Sequence, residues 1–437
     1  MGQKARVSQF LEQMGELSAA LPDKRKGHHN QQYEMEDAVR GAFSVFCTQS
    51  ASFLAHQRDL GRRQGQNNIV SVFGASSIPS DNHIRNLLDG VPADQLAPLY
   101  QWLWSELVSE EQLDEYRLLG GRLLVGIDGI RYFSSSKIHC EQCSRSQIGE
   151  TVRYHHQALT ALVVHPQQHE VLALMPEFIV PQDGTEKQDC ELAAAKRWLG
   201  KQRAWLQEQK AVILGDDLFS HQPFCELVTA AELAFILVCK PSSHELLYQW
   251  IEGMEQGGTL DEIVQRKWNG RHGEIWRYRW ACDVPLRAGD EGMRVNWCEL
   301  TITQETDGIR LYKNSFVTNL DVDATTVKAV THAGRARWKH ENEGHNVLTT
   351  RGYHIKHNFG HGKQHLATVM FTLNLLAFLL HTFLLLVDRR YRAVREELGA
   401  RRTFFSDIRS LMRYQVFDSW ENLLHFMAVA LEVEPPP

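Results

Sequence analysis

The stretch Leu123-Leu124-Val125-Gly126-Ile127-Asp128-Gly129 decides the fold. Its apolar run has the length of a buried strand, and it stops at an acid followed by a turn-forming glycine. The same pattern returns at Ala211-Val212-Ile213-Leu214-Gly215, which ends in Asp216-Asp217. In an open α/β sheet, ligands gather beyond the carboxyl ends of the strands, so two strands that each deliver an acid there point to one shared site. Taken singly, each has a plainer explanation. Asp-Gly is a turn signal, and Asp216-Asp217-Leu218 reads as a helix cap.

Before this stretch, residues 1–120 read as a helical region. Within it, Ser80-Asp81-Asn82-His83-Ile84-Arg85-Asn86-Leu87-Leu88 offers a cap and then a helical apolar pattern, between Pro79 and Gly90. Beyond it, residues 121–242 carry the α/β pattern. Strands are expected at Ala158 to Val164, Glu170 to Leu174 and Phe235 to Cys239, with a long helix from Lys187 to about Gln209. Residues 243–326 turn to alternating runs, such as Ile275-Trp276-Arg277-Tyr278-Arg279-Trp280, and read as a separate β-rich insertion. Helical pattern resumes over 327–390, the second half of the core, and over the C-terminal region 391–437. The fold class expected is α/β.

The formal charge of −6 argues at first sight against a nucleic-acid partner. DNA binding depends on where charge sits, however, and Asp388 to Arg413 carries eight Arg against two Asp and two Glu. Eight scattered cysteines fit reduced thiols in a cytoplasmic protein. The start of the chain shows no secretory pattern, and the Pro435-Pro436-Pro437 tail reads as disordered. Leu366 to Val387 is apolar and about long enough to span a bilayer. It also carries Thr368, Thr372, Asn374, His381 and Thr382, and a buried core helix with no membrane partner is the expectation.

A third acidic element is Arg337-Trp338-Lys339-His340-Glu341-Asn342-Glu343. On a helix Arg337 and Glu341 share a face, an arrangement common on solvated surfaces. Joined with Asp128 and Asp216, Glu341 gains another meaning. Carboxylates crowded in a partly buried cleft repel, and divalent cations remove that repulsion. Two such ions about 4 Å apart activate a nucleophilic oxygen and stabilise the leaving oxygen of a phosphodiester.

The pieces Gly126-Ile127-Asp128-Gly129, Gly215-Asp216-Asp217-Leu218-Phe219 and Arg337 to Glu343 resemble those of bacterial insertion-sequence transposases of the insertion-sequence-four type. Gly352-Tyr353-His354 and His357-Asn358-Phe359-Gly360-His361-Gly362 resemble the same group, and the likeness runs from about Ile78 to Leu385. It implies a ribonuclease H-like catalytic core interrupted by a β-rich insertion, with helical N- and C-terminal regions. It implies two Mg2+ or Mn2+ ions held by Asp128, Asp216 and Glu341, with Asp217 and Glu343 as alternatives to the last two. The activity implied is a DDE transposase that cleaves double-stranded DNA at terminal inverted repeats and transfers the ends into target DNA, as a homodimer in the DNA complex. Arg337, Lys339, Arg351, Lys356 and Trp297 are the expected DNA contacts, with Trp276 and Trp280 also candidates to stack on an unpaired base. The family often carries a Tyr three residues before the motif Arg and a Lys seven after the Glu. Here those places hold Gly334 and Leu348, with Arg351 and Lys356 nearby. Competing readings are a nuclease on this fold without strand transfer and a catalytically inactive DNA-binding relic.

Cys140 and Cys143 are half of a structural zinc site by spacing, with His155, His156 and Cys190 as the recruits in view. A β-turn with two free thiols is the plainer reading. His354, His357 and His361 would share a helical face, but the glycines around them favour a loop.

Overall fold

The computed structural model describes residues 5–25, 33–61, 63–77, 79–181, 190–289 and 291–433. The Pro435–Pro437 tail and the expected helix start at Lys187 lie outside them. The protein is mixed α/β. Its strands are β1 (Arg117–Leu118), β2 (Arg122–Ser135), β3 (Ser144–Ile148), β4 (Thr151–Val164), β5 (Leu172–Ala173), β6 (Glu177–Ile179), β7 (Val212–Gly215), β8 (Ala234–Val238), β9 (Asp261–Trp268), β10 (Gly273–Pro285), β11 (Arg294–Gln304) and β12 (Arg310–Thr318). Among the described residues they form one sheet in the order β3-β4-β2-β7-β8-β12-β11-β10-β9, with β1 beside β2 and with β5 and β6 beside β4.

Two features differ from expectation. Strand β2 does not stop at Asp128; it pairs antiparallel with β4 as far as Ser135↔Tyr154. Its parallel pairing with β7 ends at Gly126↔Leu214, so Asp128 stands just past the end of a neighbour rather than at its own strand's end. The β-rich insertion is also not a separate sheet. Strand β12 pairs antiparallel with β8 through Phe316↔Val238 and Thr318↔Ile236, and β11, β10 and β9 follow. Every residue of β8 is buried, so its outer edge carries peptide groups that need partners, and the insertion supplies them.

Helices cover the faces. Glu191–Glu208 packs on β6, β4 and β2, and Val327–Arg335 lies on β8 and β10 to β12. The second approach is close: a Cβ at Gly334 would lie 2.8 Å from Phe316 and 2.9 Å from Ile236. Leu366–Val387 is the buried axis of the helical part, with 89% of its most apolar window enclosed by protein. It contacts the helices Met35–Cys47, Ala97–Ser109 and Arg389–Leu398, and strand β5. In the N-terminal region, the Ser80 hydroxyl accepts from the His83 N–H and caps the helix Asp81–Leu88.

Candidate active site

Three chain segments build the site. Asp128 sits on β2 opposite Thr160 of β4, and the Gly129 N–H donates to its Oδ1 at 2.9 Å. Asp216 follows β7 in a tight turn whose Leu218 N–H donates to Asp216 Oδ1 at 3.0 Å. Phe219 anchors that turn, fully buried with its ring against Gly215. Glu341 lies in a π-helical turn, His340–His345, a form often found at functional sites. This turn presses onto the sheet, where a Cβ at Gly344 would collide with Leu162 and one at Gly126 would lie 3.1 Å from His340 Nδ1.

A polar network fixes the turn. The Thr160 hydroxyl donates to the Asp128 carbonyl at 3.1 Å and meets His340 Nε2 at 2.9 Å and His345 Nε2 at 2.7 Å. Burial pulls both imidazoles well below the ordinary histidine range, which favours their neutral forms. His345 Nδ1 lies 3.9 Å from Asp128 Oδ2. That arrangement suits a shared cation better than a direct hydrogen bond.

Asp128, Asp216 and Glu341 line one cleft of about 830 Å3, with Lys240, Lys313, Arg337 and Lys356 around them. Burial raises the pKa of Asp128, and the charge of Glu341 adds to this against His345, Arg337 and the Gly129 N–H. Burial likewise raises Asp216; the Leu218 N–H, Arg337 and Lys240 oppose, while Asp128 adds. A fourth acid joins them. Glu191 is raised by burial and then by Asp128 and Asp216, and its carboxylate lies where a side chain at Gly129 would go.

No protein-family model matches this sequence, and no curated protein matches it.

The acids in the cleft are all oxygen donors, which suits Mg2+ or Mn2+, and a divalent cation would offset both the burial that chiefly raises Asp128 and Asp216 and the smaller repulsion between the acids. The carboxylates share the cleft without being drawn into a closed cage. Among the described residues, the cluster gathered tightly enough to hold an ion as it stands is Cys140, Cys143, His156 and His361.

Other expected site residues lie elsewhere. Asp217 accepts from the Lys240 N–H at 2.6 Å and from the Ser243 hydroxyl, and so is engaged in holding a loop. Glu343 lines a different groove, with Oε2 3.5 Å from His169. Lys339 is buried, its ammonium donating to the Gln168 carbonyl, so it is withdrawn from any phosphate in the cleft. Trp297 is fully buried beneath Tyr248 of the helix Glu245–Gln256 and cannot stack on a base. Arg351 opens onto grooves with Arg401, Arg402 and Arg409 instead of this cleft. Gly334 and Leu348 are buried, so neither position could send a longer side chain to DNA without repacking. Lys356 does reach the cleft.

Glu191, His345, Lys240 and Lys313 were missed in the sequence. Glu191 heads a helix, where an acid is ordinary. His345 was within reach: Glu341 and His345 are four apart, but a π-helical turn is not legible in residue spacing.

Proposed function

We propose that this chain is a DDE transposase that cleaves DNA at the ends of a mobile element and transfers those ends into target DNA. The observation that carries this reading is the convergence of Asp128, Asp216 and Glu341 on one cleft with a cationic rim. About 125 residues separate the last two in sequence. The strands β9 to β12 fall between Asp216 and Glu341, which supports the ribonuclease H-like core with a β-strand insertion that the resemblance implies.

Asp128, Asp216 and Glu341 would hold two divalent cations, with Glu191 and His345 beside them. When bound, such ions act as Lewis acids on the scissile phosphate and lower the pKa of an attacking water or 3′-hydroxyl. The protein's own contribution is positioning. Arg337 sits among the acids, where its planar fork suits a non-bridging phosphate oxygen pair. Lys240, Lys313 and Lys356 lie along the rim where the flanking backbone would run. The Thr160, His340 and His345 network holds the Glu341 turn against β2 and β4, so the third acid arrives on a rigid element.

The test uses purified protein, duplexes ending in the repeats that flank the gene, and Mg2+ or Mn2+. Asp128→Asn and Glu341→Gln should each lower cleavage by roughly 10²–10³-fold or more. Mn2+ or Ca2+ should raise the melting temperature of the wild type but not of Asp128→Asn. Wild-type cleavage by either variant would remove the assignment. Cleaved ends that never join a target would move the reading to a nuclease.

A further inference from the structure

Away from the acidic cleft, Cys140, Cys143, His156 and His361 bring two sulfurs and two imidazole nitrogens within 4.8 Å of one another. Cys140 Sγ and Cys143 Sγ are 3.9 Å apart, and His156 Nε2 lies 3.6 and 3.5 Å from them. His361 Nε2 is 3.6 Å from Cys143 Sγ. Tetrahedral zinc with bonds of about 2.3 Å to sulfur and about 2.0–2.1 Å to nitrogen sets S···S at about 3.8 Å and S···N at about 3.6 Å. These four edges are close to those of a zinc tetrahedron, and the remaining pairs lie within 4.8 Å. They do not match a disulfide, whose sulfurs sit about 2.05 Å apart.

We propose that Cys140, Cys143, His156 and His361 bind one structural zinc ion. Four protein ligands close the coordination sphere, which marks a structural rather than a catalytic site. Thiolate and imidazole donors also select a different metal from the hard carboxylates of the cleft. The ligands are held in place by their surroundings. Cys140 and Cys143 form a turn in which the Cys143 N–H donates to the Cys140 carbonyl at 3.2 Å, and the Cys140 N–H points at Cys143 Sγ at 3.5 Å. His156, on β4, stacks on Tyr132 of β2 at 5.8 Å and 15°. His361 leans on Phe133 at 4.6 Å.

The site joins three segments: the connection between β2 and β3, strand β4, and the loop around His361. That loop leads from the Glu341 turn to the buried helix Leu366–Val387. The ion would therefore fasten the chain that follows Glu341 to the strand pair that carries Asp128.

Zinc content measured by mass spectrometry on full-length protein, purified without chelator from zinc-replete medium, tests this directly. About one zinc per chain is expected. Cys143→Ser and His361→Ala should each lose it at least about tenfold, while Cys282→Ser, a thiol elsewhere, keeps it. Should the ligand variants fail to fold, cobalt-substituted wild type gives a second readout. It should show the ligand-field absorption of tetrahedral cobalt with a thiolate charge-transfer band. Wild type that carries no zinc and gives no such cobalt spectrum overturns the site, and so does full zinc retention in Cys143→Ser. Neither measurement involves DNA cleavage, so the zinc site and the acidic cleft stand or fall separately.

Discussion

Asp216 and Asp217 are neighbours that face different ways, and their substitutions should separate cleanly. Asp216 is raised by burial and by Asp128, so its charge opposes folding. Asp216→Asn should abolish cleavage while leaving the melting temperature unchanged or higher. Asp217 accepts from the Lys240 N–H and the Ser243 hydroxyl. Asp217→Asn should destabilise by roughly 1–3 kcal/mol and keep its cleavage per folded molecule. Thermal melts paired with a cleavage assay decide the matter; a stable, inactive Asp217→Asn would reverse the two roles. This division was legible only through Phe219, whose place three residues after Asp216 anchors the turn. The shared cleft of Asp128 and Glu341 was legible because one ends an apolar run and the other belongs to a motif. Trp297 was misread because strand alternation tells two faces apart but not which of them another element covers. His361 escaped as a ligand because 218 residues separate it from Cys143, and no local spacing spans that gap.

At the scale of elements, the start of the buried helix shows how one side chain can position a whole segment. The N–H groups of Lys363, Gln364, His365 and Leu366 all donate to Asp89 Oδ1, at 3.0–3.1 Å. Burial pushes the Asp89 carboxyl up, and these donors more than offset it, so its pKa falls below the usual range. The helix Leu366–Val387 has no cap from its own N-cap residue, His365; a carboxylate from the N-terminal region does that task. Asp89→Ala takes the side-chain partner from the Lys363, Gln364 and Leu366 N–H groups, while His365 keeps the Asp89 carbonyl at 3.2 Å, and should cost roughly 1–3 kcal/mol, with Asp89→Asn intermediate. Urea unfolding measures it, and a loss within about 0.5 kcal/mol would show that solvent caps the helix as well. The cap lies a few residues from His361, so Asp89→Ala should also weaken zinc retention. Sequence pattern found this helix and the strands near their true places. It missed the cap, because Asp89 closes one helix in sequence while serving another in space. It also set the insertion apart from the core, because periodicity identifies strands without naming the strand each will pair with.

Over the whole molecule, polar groups expected at the surface are often turned inward. Of the arginines between Asp388 and Arg413, Arg409 donates to the Thr48 and Gln49 carbonyls and Arg413 to Asp59. Part of that positive excess therefore ties the C-terminal helices to the N-terminal ones rather than facing DNA. The buried helix depends on the same economy. Arg401 donates to the Tyr353 hydroxyl, which donates to His381 Nδ1, and His381 Nε2 donates to the Cys47 carbonyl. His56 is enclosed by Ser44, Thr48 and Ser50. Burial first, and then Arg409, lowers His56 from the ordinary 6.5 to about 3. Burial, with Arg401 and Arg395, drives His381 well down too. Both stay neutral in the folded chain and take up protons once it unfolds. Their contribution is therefore complete above pH 6.5 and is lost as pH falls below it, for His56 toward about 3. Each such group adds a slope of about 1.4 kcal/mol per pH unit, and His155, His165, His244 and His340, lowered first by burial, act with the same sign. Denaturant midpoints at pH 7.5, 6.5 and 5.5, at constant ionic strength, should fall most over the last step. His56→Gln should be less stable at pH 7.5 but should lose less on acidification, by about one proton's slope. Equal stability at pH 7.5 and 5.5 would mean that these rings are protonated in the folded chain. Their buried arginine neighbours would then have to be arranged differently from the packing described.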